Sequence, residues 1–130
     1  MEIEIGAWSE AAPMEARKAP SRPVDLVHLS RYTLGDRTLE CEVLELFCTQ
    51  SVVYLERLRA APSDKEWKEA AHSLKGSAQA IGAWRAAAAA ECAEALSAEG
   101  FSAARRASFI DIESSLGEAK AYIRSLLRDR

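Results

Sequence analysis

The sequence predicts an all-α chain, an antiparallel up-down four-helix bundle with a short N-terminal lid helix and a mobile N-terminal tail. Three observations carry this. Alanine and leucine supply most of the apolar volume, and both favour helix. From about residue 24 onward, apolar residues recur at three- and four-residue spacings over stretches of helical length. The turn after the longest of the early stretches is short, and short turns make antiparallel neighbours.

Residues 1–23 mix Pro13, Pro20 and Pro23 with charged residues and alanine, show no sustained period, and read as a flexible tail ahead of a bundle domain at 24–130. Ile3 and Ile5 alternate as a strand would but have no partner, and Trp8 reads as a loosely packed tail residue. Val24 to about Thr33 forms the lid, with Leu26, Leu29 and Tyr32 facing inward. Its His28 is given no role.

Gly35-Asp36 breaks the lid, and Asp36 serves as N-cap of a long helix from about Arg37 to Ala60. Its apolar face is drawn from Leu39, Val43, Leu46, Phe47, Val53, Tyr54 and Leu58, widened by Cys41, Leu44, Cys48, Val52 and Leu55. A face this wide contacts two neighbours or leaves an apolar margin exposed. Ser63 with Glu66 three residues on is a capping box opening the next helix, about Asp64 to Ile81. There Trp67, Ala70 or Ala71, Leu74, Ala78 and Ile81 turn inward, while Lys68, His72, Lys75, Gly76 and Gln79 make the opposite stripe. Gly82 ends it, and Trp84 to about Leu96 is the next helix, whose run Ala86 to Ala90 buries little area. After a turn at Ser97 to Ala104, the last helix spans about Ala107 to Leu127. Phe109, Ile112, Leu116, Ala119, Ile123 and Leu126 share its face, and Gly117 weakens its middle.

Composition excludes several classes. A chain of 130 residues supports one core and is too small for a kinase carrying its own nucleotide-binding module. A net charge of -3, with no basic cluster longer than Arg105-Arg106, argues against nucleic acid. Cys41, Cys48 and Cys92 are odd in number and lack Cys-x-x-Cys spacing, so they read as reduced thiols rather than a disulfide or zinc set. Two histidines in separate elements, with no inward Glu-x-x-His pair, leave a bundle metalloenzyme without ligands. No apolar stretch approaches membrane-spanning length and no signal-like start follows Met1, so a cytoplasmic protein with no membrane partner is expected.

The polar stripe is where the chemistry concentrates. His72 has Lys75 three and Gly76 four residues on, all on one helix surface. Glycine inside a helix costs about 0.8 to 1 kcal/mol relative to alanine, so Gly76 is a defect unless something must approach the backbone. An exposed imidazole titrates near pH 6.5 and can act as a nucleophile without a buried base. Lysine offers a fixed charge to an acquired anion. Together these suit a transient phosphoryl carrier. Spacing alone leaves two bland readings open: a solvated His-Lys surface, and a glycine packed against a neighbouring helix.

The run His72-Ser73-Leu74-Lys75-Gly76-Ser77-Ala78, closed by Gly82, resembles the signature of histidine-containing phosphotransfer (HPt) domains of bacterial multistep signalling. The likeness extends over about Val24 to Leu96, with Leu34-Gly35-Asp36 before the second helix and Glu45-Leu46-Phe47 within it. It implies that His72 is the phosphorylated residue, Lys75 its charge partner and Gly76 a position kept small for an approaching receiver domain. The implied partners are receiver domains of response regulators and hybrid sensor histidine kinases. The chain is expected to work as a monomer with no cofactor, Mg²⁺ belonging to the receiver, and to have no kinase activity. Counting equal distances back from the turn at Pro62 puts His72 level with Phe47 to Ser51. Lys68, Gln79, Phe47, Gln50 and Ser51 are therefore expected to join Gly76 in receiver docking. The competing reading is a helical module that docks receivers or kinases without carrying phosphate.

Overall fold

The computed structural model describes residues 22–96 and 102–129. The expectations for the tail, including Ile3, Ile5 and Trp8, and for most of the turn at 97–101 lie outside the described residues. Within them the protein is all-helical: α1 Leu26–Thr33, α2 Arg37–Ala60, α3 Asp64–Ala80, α4 Trp84–Ala95 and α5 Ala103–Arg128. α3 packs on α2 and α4, α5 packs on α4 and α2, and α1 leans on α2, so the core sits inside a ring of four helices.

Four of the five helices start where a side chain satisfies backbone N–H groups that the first turn leaves unpaired, α4 being the exception. Asp25 accepts from the His28 amide, Asp36 from Leu39, Ser63 from Glu66 and Ser102 from Arg105. The Ser102 cap starts α5 four residues earlier than the periodicity predicts, and Gly117 does not break it. Arg105 explains the extension. It is buried, its guanidinium lies 4.8 Å from the Trp67 ring, and it donates to Asp64 at 2.5 Å, tying the start of α5 to the start of α3.

The core is built from Trp67, Leu74, Ala78 and Ile81 of the α3 segment, Ile112, Leu116, Ala119 and Ile123 of α5, and the alanines of α4, with only Ala88 of the five-alanine run exposed. Small side chains on α4 let α3 approach closely, and the Trp67 indole N–H reaches the Ala93 carbonyl at 2.8 Å. The start of α3 therefore lies beside the end of α4.

α2 contacts neighbours on two sides and leaves an apolar margin exposed, as its wide face predicts, but Ser51 joins its inward line against expectation. Its buried line is Leu44, Phe47, Ser51 and Leu58, while Leu39, Leu46, Val52 and Val53 are exposed. Apolar residues lie almost all round this helix, so periodicity could not set which face turns inward. A serine takes a core position because its hydroxyl donates to the Cys48 carbonyl at 3.0 Å. In α1, Leu29 is buried as expected, but Tyr32 points to solvent.

Gly82 holds α1 in place. Its φ of +74° is left-handed, and a Cβ there would meet the Asp25 Cβ at 2.6 Å. The Asp25 amide donates to the Gly82 carbonyl at 3.0 Å, and the Trp84 indole donates to the Asp25 carboxylate at 3.1 Å. Only glycine permits this close approach.

Candidate functional site

His72 stands on the outer face of α3, its side chain 68% exposed. The capping box at Ser63 and the buried Trp67, Ala71 and Leu74 fix the rotation of α3, so the residue one step from Ala71 must face out. The imidazole is held from the next helix. Its Nδ1 lies 2.8 Å from Oε2 of Glu94 on α4, and Lys75 Nζ lies 3.0 Å from the other oxygen, Oε1. One carboxylate thus bridges the histidine and the lysine.

The electrostatics define the tautomer. The Lys75 ammonium, and then the hydrogen bond from His72, hold the Glu94 carboxyl below the usual carboxylate range, against the opposing effect of burial. An ionised Glu94 can only accept, so the neutral imidazole carries its proton on Nδ1 and keeps its lone pair on Nε2. The ring is oriented, and its nucleophilic nitrogen is the one not engaged by Glu94.

Glu94 is absent from the residues singled out in the sequence, although a count would have reached it. Gly82 lies ten positions after His72; ten more reach Cys92, within one turn of Glu91 and Glu94. Lys75, expected as a free surface charge, is half-buried and paired across helices.

Gly76 lies one turn beyond His72, and an added Cβ would meet nothing within 4 Å. It does not pack against a neighbour, which removes one bland reading. Lys68 and His72 line a shared shallow groove with Ser73 and Glu94, whereas Gln79 and Gly76 line a second groove on the other side of the motif. Gln50 is half-buried on α2. Phe47 and Ser51 do not belong to a docking face: both are buried, 3% and 1% exposed, on the inward line of α2. The count addressed height along the helix, and height says nothing about direction around it.

His28 sits apart, its ring edge-on to Tyr32 at 5.3 Å and to Trp84 at 4.8 Å. Burial lowers its pKa below that of an ordinary imidazole, against the pull of the Asp25 carboxylate. It is a packing histidine. Among the described residues no group of His, Cys, Asp and Glu side chains could hold a metal ion, and no helix is long and apolar enough to cross a membrane.

Comparison with protein families matches the chain to the model described as Hpt domain over residues 42–126. The match runs from within α2 almost to the end of α5 and leaves α1 outside. Neither a curated protein nor a solved structure matches significantly.

Proposed function

Because the chain belongs to the Hpt domain family, whose members are phosphocarriers of two-component signalling, we propose that His72 relays a phosphoryl group between receiver-domain aspartates, from a hybrid kinase to a response regulator. The observation that carries this is the Glu94 bridge, which orients the exposed His72 ring with its lone pair on Nε2 and stations Lys75 alongside. In this reading Nε2 attacks the phosphorus of an aspartyl phosphate. The N–P bond forms as the P–O bond breaks, and the aspartate leaves as carboxylate with the bonding pair. The proton on Nδ1 stays in place, so no base is needed, and Glu94 balances the positive charge that develops on the ring. Lys75 offsets the charge of the phosphoryl oxygens. The second transfer is the reverse reaction on another aspartate.

The four longer helices take an up-down order, as the beginning of α3 lying against the end of α4 supports. The domain carries no nucleotide chemistry of its own, and the Mg²⁺ of the reaction belongs to the receiver. It acts as a monomer in the cytoplasm, where its receivers are. Gly76, Gln79 and Lys68, flanking His72, make the ground the receiver covers, with Gln50 at its edge.

The test is transfer from a panel of phosphorylated receiver domains of the same genome to this protein and to His72→Gln. Labelling of the wild type by at least one receiver, with none in the variant, is the expected result. Receiver binding without any label would assign the docking module instead.

A further inference from the structure

Lys75 does not stand on the side of the His72 ring where the phosphoryl group is carried. Its Nζ lies 3.0 Å from Oε1 of Glu94, and the same carboxylate holds the ring Nδ1 through Oε2 at 2.8 Å, so both contacts lie toward α4. The two nitrogens of an imidazole point in nearly opposite directions, and the bond to Glu94 therefore turns Nε2 away from the lysine. A phosphoryl group on Nε2 brings close to two negative charges and three strong acceptor oxygens. Lys75 serves them only by sharing a charge that Glu94 already holds.

The shallow groove that His72 shares with Lys68 continues to Lys65 and, at the end of α2, to Arg57. Its carboxylates are mostly engaged by the protein itself. Asp64 accepts from Arg105 at 2.5 Å, Glu66 accepts from the Ser63 hydroxyl at 3.0 Å, and Glu94 is taken by His72 and Lys75. The cations are not engaged in this way: among the described residues Lys65 and Lys68 form no ion pair, and Arg57 lies over the Tyr54 ring at 5.7 Å. An incoming anion meets a groove whose positive charges are open. Lys68 is the cation nearest the nucleophile on α3 from this side. It stands four residues before His72, at a spacing that sets Cβ atoms about 5 to 6 Å apart on one helix surface. Helical side chains lean toward the N-terminus, so the imidazole lies over the turn that Lys68 opens. The lysine is half-buried, where a charge is screened less than in open water.

We infer that Lys68 is a second phosphoryl-binding lysine, its ammonium pairing with the oxygens of the group carried on Nε2, with Lys65 and Arg57 extending the positive field along the groove. The inference rests on the phosphotransfer reading and divides its labour: Glu94 and Lys75 orient the ring from α4, and Lys68 receives the acquired charge on the other side. Exposed Glu69, three residues before His72 and also in the groove, opposes it by repulsion.

Lys68→Met, which keeps the side-chain length and removes the charge, tests this beside Lys68→Arg, which keeps the charge. The donor is phosphoramidate, too small to need a docking surface. Nε2 attacks its phosphorus, the ring N–P bond forms as the donor P–N bond breaks, and ammonia leaves with the electron pair. Lys68→Met should slow labelling of His72 about tenfold, and Lys68→Arg should restore most of the rate. The gap between Lys68→Met and wild type should shrink at about 1 M salt, where the screening length falls to about 3 Å. Glu69→Gln should speed labelling, a change of opposite sign that damage to the fold cannot imitate. Unchanged labelling in Lys68→Met would overturn the inference, as would an equal loss in Lys68→Arg or a Glu69→Gln variant no faster than wild type. Slowed transfer from a receiver with normal phosphoramidate labelling would overturn it too, leaving Lys68 as a docking contact. Failure of phosphoramidate and of every receiver in the panel to label the wild type would instead bring down the phosphotransfer reading beneath it.

Discussion

Replacing Gly76 separates fold from function, because the same substitution should move the two in opposite directions. A helical glycine costs about 0.8 to 1 kcal/mol against alanine, and glutamine recovers roughly half of that or more. The gain is realised only if the new side chain meets nothing. A Cβ at Gly76 has open space to 4 Å, so no overpacking cost offsets it. Gly76→Gln should therefore stabilise by about 0.5 kcal/mol, raising the melting temperature by roughly 1 to 3 °C for a domain of this size, and Gly76→Ala by about 0.8 to 1 kcal/mol. Transfer should respond inversely to side-chain length: slightly impaired by alanine and strongly by glutamine, which occupies ground the receiver must cover. Thermal melts and receiver-transfer rates on the two variants measure both quantities. A lower melting temperature would show that Gly76 packs against something, and an unchanged rate with glutamine would remove its role in approach. Either result refutes the reasoning.

Lys75→Ala should slow transfer or shorten the phosphohistidine lifetime while costing no more than about 1 kcal/mol, the upper end for a surface ion pair; a loss of several kcal/mol with normal transfer would make the lysine structural. Glu94→Ala should slow phosphoryl uptake about tenfold, equivalent to about 1.4 kcal/mol of barrier, and Glu94→Gln should recover part of it because the amide oxygen still accepts the Nδ1 proton. Equal rates in all three proteins would remove Glu94 as a positioning residue. For His28, the folded pKa lies below the unfolded one, so the unfolded chain binds its proton first as pH falls. The stability this group contributes is present above about pH 6.5 and is lost as pH drops through the lower folded value. Melting temperatures at pH 7.5 and 5.5 should therefore differ less in His28→Gln than in the wild type, and an undiminished difference would contradict the assignment.

How far the sequence revealed the molecule differed from helix to helix. The ends of α2, α3 and α4 were legible because local chemistry sets them: Asp36 and Ser63 cap, Gly82 terminates, and these act within a few residues. The start of α5 was missed for a tertiary reason, since Arg105 reads as a surface residue until Asp64 and Trp67 are brought beside it. The rotation of α2 was legible only in part: Leu44, Phe47 and Leu58 of its broad apolar face are buried, and Leu39, Leu46, Val52 and Val53 make the exposed margin. With apolar residues on every side, the inward face is chosen by its neighbours, and that choice buries Phe47 and Ser51 while exposing Leu46 and Val53. At the site, His72, Lys75 and Gly76 could be read as a unit because one helix carries all three. Glu94 lies 22 residues away on another helix and acts through two hydrogen bonds that only packing creates.

In the proposed relay a single imidazole, that of His72, carries the phosphoryl group. The most direct measurement incubates the protein with a phosphorylated cognate receiver and locates the modification by fragmentation mass spectrometry under neutral to alkaline conditions, where phosphohistidine survives. One acid-labile, base-stable phosphoryl group on His72, and none in His72→Gln, is the expected result. A phosphoryl group found on His28, or one that persists in the variant, would contradict it.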